Sequence, residues 1–221
     1  MTTLITAAEA VRHAPVNADF PASKLCALIP AEEQNLFLDH IGYDFYEVLI
    51  ADLVDYSGVD EWDSTATYAD GDLVMFQGIV YESLVAGNTE PIGDPLNLSA
   101  WKEADKFTTA CYNALWVDGF LREVLAYSVI AAVLPHVTYP TGSIGTVEKY
   151  EDTTGVKTVS NPNYSKVAGQ LERAKAMRLR LLAKYMNDNA DTCDYTGSLY
   201  GSACDQINVN PGRTRKTFYK Y

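Results

Sequence analysis

The sequence predicts an α+β fold: mainly a helical bundle, with an extended β-hairpin arm and a small inserted all-β module. Three observations carry this. Apolar residues recur at helical spacing through most of residues 1–57 and 105–190. Between Trp62 and Trp101 the period drops to two, where Leu73-Val74-Met75-Phe76 and Ile79-Val80-Tyr81 flank the turn-like pair Gln77-Gly78. Residues 136–163 are rich in Thr, Gly, Pro and Ser and run too long for a passive connector. The layout is therefore a helical domain (1–57 and 105–190, with the arm at about 136–163), an inserted β module (58–104) and an extended C-terminal tail (191–221).

In chain order, Thr6-Ala7-Ala8-Glu9 is a capping box, and the helix it opens runs to about Ala14 before Pro15. Ser23 opens a second stretch with Leu25, Cys26, Leu28 and Ile29, which Pro30 is expected to end or kink. The pattern resumes through Leu36, Phe37, His40 and Ile41 and stops at Gly42. Asp44 and Glu47 begin the next helix, with Phe45, Val48, Leu49, Leu53 and Val54 at helical spacing and Gly58 as its end.

After the β module, Asp105 is the expected N-cap of one long helix, Lys106 to Leu134, terminated by Pro135. Beyond Leu125 it is apolar on nearly every side, which predicts burial all round. In the arm, Ile144–Val147 and Val156–Val159 are expected to flank the turn Asp152-Thr153-Thr154-Gly155. From Tyr164 to about Asn187 an amphipathic helix follows, with Val167, Ala168, Leu171, Ala174, Arg178, Leu181, Leu182 and Tyr185 along one stripe. Its other face carries Lys166, Arg173, Lys175, Arg178, Arg180 and Lys184 against Glu172. The tail ends in Arg213, Arg215, Lys216, Phe218, Tyr219 and Tyr221, a basic and aromatic set that reads as docked on a partner.

The 221 residues are 48% hydrophobic, enough for a substantial core, and the most apolar run, Val124–Leu134, is too short to span a bilayer. No signal-peptide pattern opens the chain, so cytoplasmic synthesis without a membrane partner is expected. The net charge of −12 is divided unevenly: residues 1–105 hold 19 acids and 3 bases, residues 106–221 hold 10 and 14. Such a division suits an acidic face meeting the basic face of a neighbouring copy, and the basic helix face also fits passing nucleic acid.

The four cysteines contain no CxxC pair, so free thiols are expected, with Cys193–Cys204 as the pairing open to an oxidising setting. His13, His40 and His136 fit no metal-ligand spacing, and no phosphate-binding glycine loop or GxSxG elbow occurs. Glu32-Glu33 and Glu151-Asp152 are adjacent pairs that do not face one another, poor acid/base dyads. The reading is non-enzymatic, with no cofactor and no metal.

Two resemblances add to this. Trp62, Tyr68, Gly71-Asp72, Val74, Gly78, Tyr81, Pro91 and Trp101 resemble the small carbohydrate-binding modules of chitinases and similar glycosidases. That likeness implies a sugar platform among Trp62, Tyr68, Tyr81 and Trp101, although Glu82-Ser83-Leu84-Val85 lacks the aromatics the family usually carries there. The same four rings also fit a module core.

The framework is similar to a second family. Leu4-Ile5-Thr6-Ala7-Ala8-Glu9-Ala10-Val11, the Pro21–Leu28 helix start, Leu38-Asp39-His40-Ile41-Gly42-Tyr43-Asp44-Phe45-Tyr46, the apolar helix before Pro135, Gly155-Val156-Lys157-Thr158-Val159-Ser160 and Leu182-Ala183-Lys184-Tyr185-Met186 resemble head–tail connector (adaptor, or ring) proteins of tailed bacteriophages, crAss-like group.

This second likeness implies a virion protein at the head–tail junction, assembled in the host cytoplasm as a ring, commonly of twelve copies, between portal and neighbouring tail or ring proteins. Arg173, Arg178, Arg180, Arg213, Arg215, Lys216, Phe218, Tyr219 and Tyr221 are then the expected subunit or partner interface. DNA in the channel and a surface glycan are the further partners implied. The alternatives are a carbohydrate-binding protein with helices as carrier, or a tail-associated, fibre-docking protein.

Overall fold

The computed structural model describes residues 2–14, 22–92, 99–138, 141–142, 145–146 and 162–199. The fold is mixed α+β. Helices α1 (Ala7–His13), α2 (Ala22–Leu36), α3 (Tyr43–Ala51), α4 (Ala110–Val117), α5 (Leu121–Thr138) and α6 (Pro162–Asp188) surround one large core. A three-stranded antiparallel sheet, β1 (Leu73–Phe76), β2 (Ile79–Ser83) and β3 (Trp101–Glu103), holds a second, smaller one. Two short strands, β4 (Thr141–Gly142) and β5 (Gly145–Thr146), pair with each other.

α5 is the axis of the helical core, packing against α1, α2 and α6. Leu121, Val124, Leu125, Ala126, Val129, Ile130 and Val133 are all buried, as the apolar run predicts. Each large side chain among them contributes roughly 1.5–3 kcal/mol when fully buried.

The Thr6/Glu9 capping box forms in full: the Glu9 amide donates to Thr6 Oγ1 and the Thr6 amide donates to Glu9 Oε2. Pro30, in contrast, neither ends nor splits α2, which runs through it. Leu25, Ile29, Glu33 and Leu36 are buried along this helix and α2 packs on α5, so tertiary burial outweighs the roughly 3 kcal/mol that an internal proline costs. The helix continues as a π-helical turn, Phe37–Ile41. Gly42 stops it at φ 126°, its amide donating to the Phe37 carbonyl at 2.6 Å.

α3 ends at Asp52 rather than Gly58, because Leu53 leaves the helix to bridge Phe107. The long helix expected over 106–134 is two helices. Phe120 sits at φ 65° between them and interrupts the helix, and the backbone at Gly119 packs so close to Leu115 that a Cβ there would lie 2.8 Å from Leu115 Cδ1, which favours glycine in the break. Thr109, not Asp105, occupies the N-cap position, and Pro135 lies inside α5 instead of ending it.

The β unit leaves and rejoins the helices at one stem. Leu53 bridges Phe107, the Val54 amide donates to the Lys106 carbonyl at 3.1 Å, and the Thr108 amide donates to the Asp52 carbonyl at 3.0 Å. The Asp52 carboxylate also accepts the Thr109 amide at 2.9 Å and both threonine hydroxyls, closing the stem onto the start of α4. β1 pairs with β2 in the register Leu73↔Glu82 to Phe76↔Ile79, around Gln77-Gly78, and β2 pairs with β3. Buried Asn88 ties the loops: Nδ2 donates to Ser83 Oγ and the Ala100 carbonyl, and Oδ1 accepts the Glu90 amide.

Most of the 136–163 arm, including the expected turn at Asp152–Gly155, lies outside the described residues, as does the tail beyond 199. Within the described part, residues 189–199 fold back rather than extend. Cys193 is joined to Cys111 of α4, with Cα atoms 5.7 Å apart. The expectation of free thiols therefore fails for these two, and Cys193 is not available to Cys204. Close docking of the post-α6 turn on α4 brings the pair together, a juxtaposition that sequence spacing does not encode. Cys26 is free and exposed.

Candidate functional site

Three sets of side chains are candidates: the aromatic group of the β unit, the basic outer face of α6, and the polar groups enclosed in the helical core.

Tyr81 and Trp101 are buried and build the β unit's own core with Val74, Ile92 and Ala100. The Trp101 indole donates to the Glu90 carbonyl at 2.8 Å. Tyr81 is held from the other side by α1, where Arg12 donates to its hydroxyl and lies 5.7 Å from its ring centroid. Trp62 and Tyr68 are half-buried at the rim. Trp62 meets Phe76 edge-on at 5.5 Å, and the Tyr68 and Trp101 planes cross at 70°. The four rings are thus gathered in one place but do not make a flat surface of the kind on which a pyranose stacks.

α6 lies against α5 with Leu171, Leu182 and Met186 buried. Arg178 points inward: it pairs with Glu123 and its guanidinium sits 5.1 Å from the Phe120 centroid. Lys175 pairs with Glu172 at 2.9 Å, and Lys184 reaches Asp188 at 3.7 Å. Lys166, Arg173 and Arg180 are exposed and form no ion pair among the described residues. The expected basic face is therefore divided, with Arg178 serving the core contact and Arg173 and Arg180 left facing outward. Arg213, Arg215, Lys216, Phe218, Tyr219 and Tyr221 lie outside the described residues.

The enclosed polar groups were not singled out by sequence reasoning. Glu33 is fully buried and accepts the Leu4 amide at 3.0 Å, the Ile5 amide at 2.7 Å and the Tyr46 hydroxyl at 3.2 Å. Burial pushes its carboxyl up to about 7, against the opposing pull of those hydrogen bonds and of Lys106. Burial, and then the neighbouring Glu33, raises the Tyr46 hydroxyl in turn. The signal was periodicity: Glu33 falls in register with Leu25, Ile29, Leu36 and Phe37, so an acid stands on the buried stripe.

A second network lies where α1 meets the β unit. Lys106 pairs with Glu9 at 2.8 Å and lies 5.2 Å from the Trp116 centroid. Glu103 takes Arg12 at 3.2 Å and Arg122 at 3.1 Å, fixing β3 to α1 and α5. Burial, aided by the Arg122 charge, lowers the neighbouring His13. These groups pair with one another and hold the unit in place, while Arg122 Nε is buried without a hydrogen-bond partner among the described residues.

Comparison with family models, with curated proteins and with solved structures finds no match for this chain. No group of three or more His, Cys, Asp or Glu is placed to hold a metal among the described residues. No helix among them is long and apolar enough to cross a membrane.

Proposed function

We propose that this chain is a structural subunit of a tailed-phage virion, assembled as a ring that joins the portal to the tail. On this reading the helices form the ring's bundle, the arm at about 136–163 and the tail beyond residue 199 reach adjacent subunits or the next ring, and the β unit stands outside the bundle with its acidic border turned to a neighbour. The copy number implied by the resemblance is twelve. The protein has no catalytic role, works at the head–tail junction and is assembled in the host cytoplasm.

The observation that carries the reading is the division of charge. The outer face of α6 keeps Lys166, Arg173 and Arg180 without an ion pair among the described residues, while residues 58–104 hold nine acids against Lys102. Opposite charges on different elements of one chain favour a head-to-tail contact, which generates closed rings when the rotation permits. The framework residues that resemble phage connectors supply the identity of the ring.

Negative-stain microscopy of the purified protein, alone and with the portal protein, tests the proposal. Rings are the expected result; a strictly monomeric particle at high concentration in both samples overturns it. Deleting residues 212–221 is expected to weaken docking to the adjacent ring and leave the fold intact. Specific retention on chitin, lost on Trp62→Ala with the fold preserved, would replace this reading with the carbohydrate-binding one.

A further inference from the structure

The outer face of α6 and one edge of the β sheet are chemical complements within a single chain. On α6, positions 166, 173, 177, 180 and 184 recur at spacings of seven, four, three and four, which places them on one side of the helix. That side is opposite the buried Leu171, Leu182 and Met186. It reads Lys166, Arg173, Met177, Arg180, Lys184. Met177 is 59% exposed at its centre, an apolar side chain ringed by cations.

On the β unit, Glu61 bridges Met75 and the Trp62 amide donates to the Met75 carbonyl at 2.8 Å, so residues 60–62 lie beside β1 on the side away from β2. This border carries exposed Asp60 and Glu61, followed by Asp63. The turn leading into β1 adds exposed Asp70 and Asp72, next to Leu73, itself 39% exposed. None of Asp60, Glu61, Asp63, Asp70 or Asp72 forms an ion pair among the described residues.

We infer that the outer face of α6 in one copy receives the acidic β1 border of the next copy, with Arg173 and Arg180 set against Asp60 and Glu61 and with Met177 covered at the centre. The inference rests on the ring reading and names the contact that would build it. Two physical points favour a second copy over nucleic acid as the occupant. The net charge of −12 opposes a polyphosphate and a second copy alike at long range, but a second copy sets its acids on the basic stripe and its own basic stripe on further acids, whereas a polyphosphate offers no cationic partner to the acidic border. The acidic border is also present at the same concentration as the stripe in every assembly. Because stripe and border sit on different elements, each copy offers both halves of the contact, and the association is head-to-tail.

The test is sedimentation velocity of the full chain and its charge-reversed variants. Arg173→Glu with Arg180→Glu, and separately Asp60→Lys with Glu61→Lys, are each expected to weaken self-association about a hundredfold. The chain carrying all four reversals restores complementarity at every contact and is expected to return to within about tenfold of the parent. Since all four side chains are exposed, circular dichroism and melting are expected to match the parent for every variant.

Should any variant misfold, the unmodified chain still decides. Its association is expected to weaken as salt rises from about 0.05 M to about 0.5 M, and salt-independent association overturns the contact. Rings that form regardless of the reversals overturn this contact and leave the ring reading standing. A parent chain that never self-associates overturns both. If the arginine reversals abolish retention on duplex DNA but leave self-association unchanged, the face is a nucleic-acid surface and the inference fails.

Discussion

The Glu33 carboxylate accepts the backbone amide of Ile5 at 2.7 Å inside a core where both residues are fully buried. A side chain of α2 thereby stands in for the backbone partner that the segment before α1 lacks. The arrangement couples the N-terminal segment to a single titratable group, and this sets the first expectation.

Burial raises the Glu33 carboxyl to about 7 in the folded chain, from an ordinary value of 4.5. The native state therefore holds this proton more tightly than the unfolded state. The stability it contributes is full below about pH 4.5 and is lost as pH rises through about 7, a change on the order of 3 kcal/mol. Urea midpoints measured against pH should fall across that window in the parent and flatten in Glu33→Gln. An identical slope in the variant would remove Glu33 as the cause. Glu33→Leu leaves the Leu4 and Ile5 amides without their acceptor and should cost about 1–3 kcal/mol for each.

The Cys111–Cys193 bond closes a loop of 82 residues in sequence separation. In the chain-entropy account a loop of this length stabilises by roughly 4 kcal/mol. Thermal unfolding with and without reductant should show a clear drop in midpoint, reproduced by Cys111→Ser without reductant. Alkylation under denaturing, non-reducing conditions should label Cys26 and spare Cys111 and Cys193; equal labelling would contradict the bond.

Gly42 and Gly197 meet backbone to backbone. A Cβ on Gly42 would run into the Gly197 carbonyl and lie 3.0 Å from Ser198 Cα, and Gly42 sits at φ 126°. Gly42→Ala should cost about 3 kcal/mol from backbone strain and displacement of the turn. Limited proteolysis should then cut within residues 189–199 well before the rest of the chain. A parent-like digestion pattern would mean that the turn is not held here.

Asn88 joins three loops of the β unit from a buried position. Replacing it with Leu removes the donor to Ser83 Oγ and the Ala100 carbonyl and the acceptor of the Glu90 amide, and should cost about 2–4 kcal/mol, confined to the unit. The prediction is a change in tryptophan fluorescence from Trp62 and Trp101 with helical circular dichroism retained. Simultaneous loss of both signals would show one cooperative unit instead of two cores.

Features encoded locally were legible in the sequence. The Thr6/Glu9 box, the Gly42 stop, the Gln77-Gly78 hairpin and the deep burial of most of α5, with Tyr127, Ala131 and Leu134 partly buried on one side, each depend on residues close together in the chain. Neither Pro30 nor Pro135 ends its helix, because proline's local cost is offset by the packing of α2 and α5. The split at Asp118-Gly119 did have a sequence signal, a glycine within the helical pattern. Glu33 had one too, an acid on an apolar stripe. The Cys111–Cys193 bond and the Arg12–Glu103–Arg122 cluster had none, since they join residues far apart in sequence through the docking of whole elements.

Leu53 and Phe107 stand side by side where the β unit meets the helices. What lies between them behaves as a cassette in a socket. Its two ends are already closed, so a change in its length alters only the slowly varying entropy of loop closure. Arg12 and Arg122, which grip Glu103, are the part of the socket that sets which way the cassette faces. Among the described residues none of 54–106 enters the core that α1 to α6 share, so the packing of the helices does not run through the cassette.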